Sequence, residues 1–278
     1  MRIEKRTIRT LTLREIESLV EWAAAEGWNP GLHDAAAFQA ADLQGFLGAF
    51  VEDQMIAGIS AVAYGDDFGF IGLYICRPDQ RGQGHGKAVW DAALTRLSGR
   101  TVGLDGVDEQ LQNYARKGFV PSYRTIRFGG KAPVSHPLTQ PVHPVAGASP
   151  SVVRYDGNCF PADRSRFLRR WLAPPHNAVV STEDDKITGY GVLRQCREGH
   201  KIGGLFADSE GSAISILEAP ASSANGNVYI DVPAYQTGFI DFLVSAGLTP
   251  GFETTRMYLG HAPSNSKHVF GVTTLELG

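Results

Sequence analysis

One stretch limits what this chain can become more than any other: Phe70-Ile71-Gly72-Leu73-Tyr74-Ile75-Cys76-Arg77-Pro78-Asp79-Gln80-Arg81-Gly82-Gln83-Gly84-His85-Gly86-Lys87. Its apolar first half, ending at Cys76, reads as a buried strand. Pro78 breaks the strand, alternating glycines make a turn, and Ala88-Val89-Trp90-Asp91-Ala92-Ala93-Leu94-Thr95-Arg96-Leu97 continues as a helix. A glycine-rich turn that enters a helix leaves several backbone N–H groups unpaired and pointing the same way. Together with the positive end of the helix dipole they make a site for phosphate.

Two familiar phosphate signatures fail here. The P-loop needs Gly, four residues, then Gly-Lys-Ser/Thr, but Arg81 stands at the first glycine and Ala88 where a hydroxyl must hold magnesium. The dinucleotide fingerprint needs Gly-x-Gly-x-x-Gly, but Lys87 stands at its third glycine. What remains, Arg81-x-x-Gly84-x-Gly86, resembles the pyrophosphate loop of the GCN5-related N-acetyltransferases, whose pattern is Gln/Arg-x-x-Gly-x-Gly/Ala. Gly82, Gly84 and Gly86 let a diphosphate approach the backbone closely. Arg77, Arg81 and Lys87 add positive charge around it.

The order of elements agrees with the resemblance. After a strand within residues 1–10, Thr12-Leu13-Arg14-Glu15 is a capping box. Leu13, Ile16, Leu19, Val20 and Ala23 follow at helical spacing, and Gly27 to Gly31 stop that helix. A short helix from Asp34 to Leu43 and a hairpin (Phe46 to Val51, Met55 to Tyr64) precede the glycine turn. A strand from Thr101 to Leu104, a helix from Glu109 to Lys117 and a β segment from Phe119 to Phe128 complete the pattern β-α-α-β-β-β-α-β-α-β. The resemblance implies an α/β (α+β) fold with a mixed sheet over residues 1–130. Residues 131–150, rich in proline and without apolar period, read as a linker.

Residues 151–278 echo the first half. Gly118, Pro121, Thr125 and Arg127 recur as Gly247, Pro250, Thr254 and Arg256 at a constant offset of 129. Val102-Gly103-Leu104-Asp105 resembles Val228-Tyr229-Ile230-Asp231. The expectation is a second, degenerate copy of the same acyl-CoA N-acyltransferase fold. Its turn, Ala207-Asp208-Ser209-Glu210-Gly211, carries two carboxylates and no arginine. Two acids repel a diphosphate, so only the first copy is expected to bind cofactor. This tandem layout is similar to a YitH-like subgroup of the family.

The resemblance implies transfer of the acetyl group of acetyl-CoA to a primary amine of a small molecule of polyamine, amino acid or amino sugar type. The diphosphate would sit on residues Gly82, Gln83, Gly84, His85, Gly86 and Lys87. The main chain of Ile75, Cys76 and Arg77 would hold the pantetheine arm. The family places a tyrosine four residues before the Gly-Phe that follows its next helix. That position is Tyr114, a phenol suited to protonating the departing thiolate. Many members carry an asparagine seven residues earlier, where this chain has Val107. Trp28 and Asp34 lie where the family places substrate-binding helices, and an acid beside an aromatic suits a cationic amine. A helix-capping role competes for Asp34. The general base stays open: Asp34, Asp105 or water.

Composition bounds the alternatives. A net charge of −3 gives no general attraction to nucleic acid or an anionic membrane. Three widely spaced cysteines form no C-x-x-C pair, and His33, His85 and His176 have no metal-like spacing, so no metal and a reducing compartment are expected. With no leader and no membrane-length apolar run, a cytoplasmic monomer or homodimer is expected. Asp163-Arg164 reads as a solvated or interfacial helix start, and Glu183 to Lys186 as a hairpin turn. The competing functions are a longer-chain acyl-CoA acyltransferase and a non-catalytic CoA-binding regulatory protein.

Overall fold

The computed structural model describes residues 6–132, 140–222, 224–264 and 266–278. The N-terminal half runs β1 (Thr7–Thr10), α1 (Leu13–Ala25), α2 (Asp34–Ala41), β2 (Phe46–Val51), β3 (Gln54–Tyr64), β4 (Phe68–Cys76), α3 (His85–Arg96), β5 (Thr101–Gly106), α4 (Leu111–Ala115) and β6 (Val120–Lys131). The C-terminal half runs β7 (Val142–Val145), α5 (Pro150–Asp156), α6 (Ser165–Trp171), β8 (Asn177–Glu183), β9 (Lys186–Gln195), β10 (His200–Ala207), α7 (Glu210–Ala221), β11 (Asn227–Pro233), α8 (Thr237–Ser245), β12 (Thr249–Leu259) and β13 (Val269–Gly271).

Local chemistry sets several boundaries. The Thr12 side chain accepts from the Glu15 N–H, and the Glu15 carboxylate accepts the Thr12 N–H at 2.8 Å, so α1 starts on a complete capping box. Such a cap contributes about 1 kcal/mol. Its Ile16, Leu19, Val20 and Ala23 face is buried, and Gly27 at φ 82° ends the run. The β2–β3 turn places Glu52 and Asp53 at φ 47° and 63°, and the β8–β9 turn places Asp184 and Asp185 at 48° and 62°. Paired left-handed residues match the twist of the flanking strands. The expected Glu109 to Lys117 helix is shorter: a 3-10 turn at Asp108–Gln110 precedes α4.

All the strands join one mixed sheet in the order β1-β2-β3-β4-β5-β12-β6-β11-β10-β9-β8-β7, with β13 on β10. The centre of that order corrects the picture of two separate units. β12, from the C-terminal half, pairs with β5 and sets Arg256 opposite Asp105. β6, from the N-terminal half, pairs with β11 and sets Arg127 opposite Asp231. The halves have exchanged the equivalent strands β6 and β12. Each exchange is closed by a bidentate ion pair: Arg256 to Asp105 at 2.8 and 2.8 Å, Arg127 to Asp231 at 2.7 and 3.0 Å. Each arginine also lies over an aromatic ring of the other exchanged strand, Arg256 over Tyr123 and Arg127 over Phe252.

Two further readings change. Val142–Val145, inside the stretch expected as linker, is a strand antiparallel to β8, and residues 133–139 of that stretch lie outside the described residues. Arg164 is no solvated helix start. It is 3% exposed and held by Asp156, with Nη2–Oδ1 at 2.7 Å.

The C-terminal tail is shared between the halves. β13 sits against β10, Val272 N–H donates to Asp231 O at 2.9 Å, and Gly204 N–H donates to Val272 O at 3.0 Å. The tail thus occupies the split between β10 and β11. It then crosses to the other half, where Ser60 Oγ and Tyr64 Oη donate to the carbonyls of Glu276 and Leu277.

Candidate active site

β4 and β5 are parallel and pair only from Phe68↔Thr101 to Ile71↔Leu104. Beyond that fork they part. Leu73 takes φ 46°, and the register against β3 shifts between Gly58 and Ser60, so β4 bulges where the separation begins. The gap is a cavity of about 570 Å³. Ile71 to Cys76 form one wall, and Leu104, Asp105, Val107 and Tyr114 form another. Glu26, Trp28, Phe252, Thr254, Leu275 and Glu276 also line it, so both halves of the chain build it.

At the wide end of the fork lies the glycine turn. Gly82 and Gly84 both have φ 80°, a left-handed conformation, and a Cβ at either would meet nothing within 4 Å. The turn is thus open to solvent and shaped by backbone freedom. Gly84 caps α3, whose first internal bond runs from Ala88 N–H to Gly84 O at 3.2 Å. Gly86 serves packing instead: a Cβ there would stand 2.8 Å from the Tyr74 hydroxyl.

The cations around the turn already have partners. Arg81 donates to Cys76 O at 3.0 Å and to Glu26 at 2.5 Å. Arg77 pairs with Asp79 at 2.9 Å, and Lys87 with Asp91. These pairs are exposed, hold little energy, and can be exchanged for a diphosphate. Arg6 also reaches the turn, at Gly84 O.

Along β4 the ladder separates three residues expected to act together. Arg77 N–H bonds to Ile56 O at 2.9 Å. In an antiparallel pair the groups facing the partner alternate. Ile75 and Arg77 therefore turn their main chains to β3, and Cys76 turns its own toward the cleft. Its carbonyl is the one Arg81 holds.

Tyr114 lines the cavity from α4. Its ring stacks on Trp90 at 5.3 Å and lies against Gly106, where a Cβ would come within 2.9 Å of it. Burial, with help from neighbouring Tyr74, pushes its phenol up to about 12, so it holds its proton at neutral pH. Tyr74 lines the same cavity and is likewise pushed up by burial. Nothing in its sequence context separated it from the other apolar residues of the strand.

The two acceptor-side expectations divide. Trp28 is on the cavity wall, its carbonyl held by Arg127 and Lys201, both at 3.1 Å. Asp34 is not. It is fully buried, accepts the Gly31 N–H at 2.9 Å, pairs with Arg194 and lies 3.6 Å from His176 Nε2. Those partners make it part of the seam between the halves. Asp105, the other candidate base, reaches the cavity wall but is committed to Arg256. Val107 lines the cavity where the resemblance expects asparagine. Among the described residues no group of His, Cys, Asp and Glu is arranged to hold a metal.

The corresponding place in the other half is closed. β13 fills the split between β10 and β11, Ser209 caps α7 by accepting from Ser212 N–H at 3.2 Å, and Asp208 accepts the Tyr155 hydroxyl at 2.8 Å.

The model of the acetyltransferase (GNAT) family matches residues 13–119, and that of an acetyltransferase (GNAT) domain matches 152–271. A holothin acyltransferase from Pseudoalteromonas sp. (strain SANK 73390) is 31% identical over 281 residues, covering 98% of this chain and 94% of the relative. The chain belongs to the GNAT family. Its architecture is a tandem GNAT fold, shared with a solved Pyrococcus horikoshii protein assigned to the acetyltransferases, at TM-score 0.84 and 21% identity over 100% of this chain and 98% of that one. A tandem GNAT protein from the clavulanic acid biosynthesis pathway superposes at TM-score 0.60 and 11% identity, over 94% and 100% of the two chains. In GNAT terms the chain is an acyltransferase with an open fork in its first copy and a plugged one in its second.

Proposed function

We propose that this chain transfers the acetyl group of acetyl-CoA to a primary amine of a small molecule, by direct attack in the cavity of the N-terminal copy. The observation that carries the reading is the cavity in the β4–β5 fork, lined by Tyr114 and, next to the open glycine turn, by Cys76 and Arg81. The donor's diphosphate suits the left-handed glycines and the start of α3. The Cys76 N–H is turned toward the pantetheine arm. Tyr114, protonated, stands ready to give its proton to sulfur as the C–S bond breaks. Trp28 and Phe252 offer the amine an apolar wall, and holding the two reactants in one cavity supplies much of the rate. The donor's acyl length and the acceptor's identity are what the experiment must settle.

That experiment is thiol release. Acetyl-CoA and longer acyl-CoAs are each offered with polyamines, amino acids, amino sugars and holothin. Turnover with acetyl-CoA and one amine class, and none without amine, is expected. Turnover only with longer donors would replace the acetyl assignment. Tight acetyl-CoA binding without turnover on any amine would favour a regulatory CoA-binding protein. Three free cysteines suit a reducing, cytoplasmic setting, and among the described residues no helix is long and apolar enough to cross a membrane.

A further inference from the structure

Glu276 sits in the C-terminal tail, 6% exposed, yet its side of the tail lines the cavity of the N-terminal copy. Its backbone is fixed at the fork. The Glu276 carbonyl accepts from Ser60 Oγ at 3.1 Å and would lie 2.2 Å from a Cβ on Gly72, the residue just past the last β4–β5 pair. Gly72 is what lets the tail come this close.

A count of buried charge isolates its carboxylate. Asp34, Asp231, Glu276, Arg127, Arg194 and Lys201 share the buried seam between the halves. Asp34 pairs with Arg194, and Asp231 with Arg127. Lys201, which donates to Trp28 O, is the remaining cation of the cluster and is shared between Asp231 and Glu276. No hydrogen bond among the described residues reaches the Glu276 carboxylate. Burial pushes its carboxyl above the ordinary range, while Lys201, Arg194 and Arg127 pull it down and Asp34 pushes it up. The other acids of the cavity wall are engaged or solvated: Asp105 with Arg256, Glu26 with Arg81, Glu109 exposed.

Resting on the acyl-transfer reading, we propose that Glu276 is the proton acceptor for the attacking amine, supplied to the first copy's cavity by the second copy's tail. The amine nitrogen bonds to the thioester carbon and its N–H proton passes to the Glu276 carboxylate. The C–S bond breaks with its electron pair on sulfur, which takes the Tyr114 proton. Water returns the Glu276 proton to the Tyr114 phenolate, so amine and thioester become amide and thiol with no net proton.

The full chain carrying Glu276→Gln tests this. Its kcat/KM is expected to fall about 10²-fold or more with acetyl-CoA affinity unchanged by calorimetry. Wild-type kcat/KM should rise with pH through a limb above the ordinary carboxylate range, and the Gln variant should lose that limb. Glu276→Asp keeps the charge but withdraws it, so an intermediate rate with the limb retained is expected. A Gln variant with wild-type rate and limb overturns the proposal. If the Gln variant loses its thermal transition, a wild-type rate in Glu276→Asp overturns it equally. A wild-type chain that turns over no amine removes the acyl-transfer reading itself. Calorimetry of benzylamine on the CoA complex then reads the carboxylate alone: at least tenfold weaker binding to Glu276→Gln supports its role toward the amine, and equal binding overturns it.

Discussion

At the scale of single residues, the two phenols of the cavity invite separation. Tyr114 and Tyr74 both face the fork, both keep their protons because burial raises their pKa, and both pack on Trp90. They differ in what the hydroxyl is near. That of Tyr74 lies over Gly86 at the start of α3, beside the turn that suits the diphosphate. Tyr114 is reached from the other strand of the fork. Tyr114→Phe is therefore expected to lower kcat by about 10²-fold while acetyl-CoA affinity holds. Tyr74→Phe is expected to change kcat by only a few-fold, with its larger effect on donor affinity. Stopped-flow thiol release and calorimetry on both variants check the assignment, and the reverse pattern would exchange the two roles. Because the Tyr114 phenol is pushed up to about 12, no alkaline loss of kcat should appear below about pH 10.

At the scale of elements, the β4–turn–α3 unit is where sequence was most informative. Gly82 and Gly84 take left-handed backbone angles, and only glycine takes φ near 80° without strain. Gly84→Val places a β-branched side chain at that angle and a Cβ in the proposed path of the diphosphate. Acetyl-CoA affinity should fall at least tenfold, with a small drop in Tm, and unchanged affinity would remove the turn from the donor site. The same unit shows where reading stopped. Ile75, Cys76 and Arg77 were legible as a strand end, but which of them turns to the cleft depends on register with Ile56, a partner distant in sequence. Asp34 looked like an acceptor contact because Trp28 is near it in the chain. Its partner, Arg194 on β9, is far along the sequence, and the two meet only in the folded chain. Glu276 carried no signal at all, since a lone acid near a chain end says nothing about which cleft it enters.

At the scale of the whole molecule, the repeat at offset 129 has a physical cause. Tyr123 and Arg127 on β6 and Phe252 and Arg256 on β12 are equivalent positions of exchanged strands, each arginine closing on the aspartate of the other half. Losing one member leaves a charge buried without its partner, which costs about 3–5 kcal/mol. Asp105→Asn and Asp231→Asn should thus destabilise the chain by similar amounts in urea unfolding, although only Asp105 lines the cavity. A large loss of activity with little loss of stability in Asp105→Asn would reopen its case as a base.

The exchange also decides whether the N-terminal copy can stand alone. A chain ending at residue 132 keeps the glycine turn, the fork and Tyr114. It loses β12, which fills the place between β5 and β6, and it loses the tail that covers Gly72. β5 would then present an open edge, with Asp105 buried against nothing, while β6 would lose both its neighbours. The large core cluster would also be cut, since Phe38 stacks on Trp171 at 6.3 Å and Tyr64 and Phe68 pack on Phe160. Unpaired edges of this kind favour association over folding. The full chain should unfold in one transition, coincident by circular dichroism and tryptophan fluorescence. The fragment should show no cooperative transition and should aggregate. A soluble, cooperatively folding fragment that binds acetyl-CoA would mean that the exchanged strand serves the acceptor cavity alone.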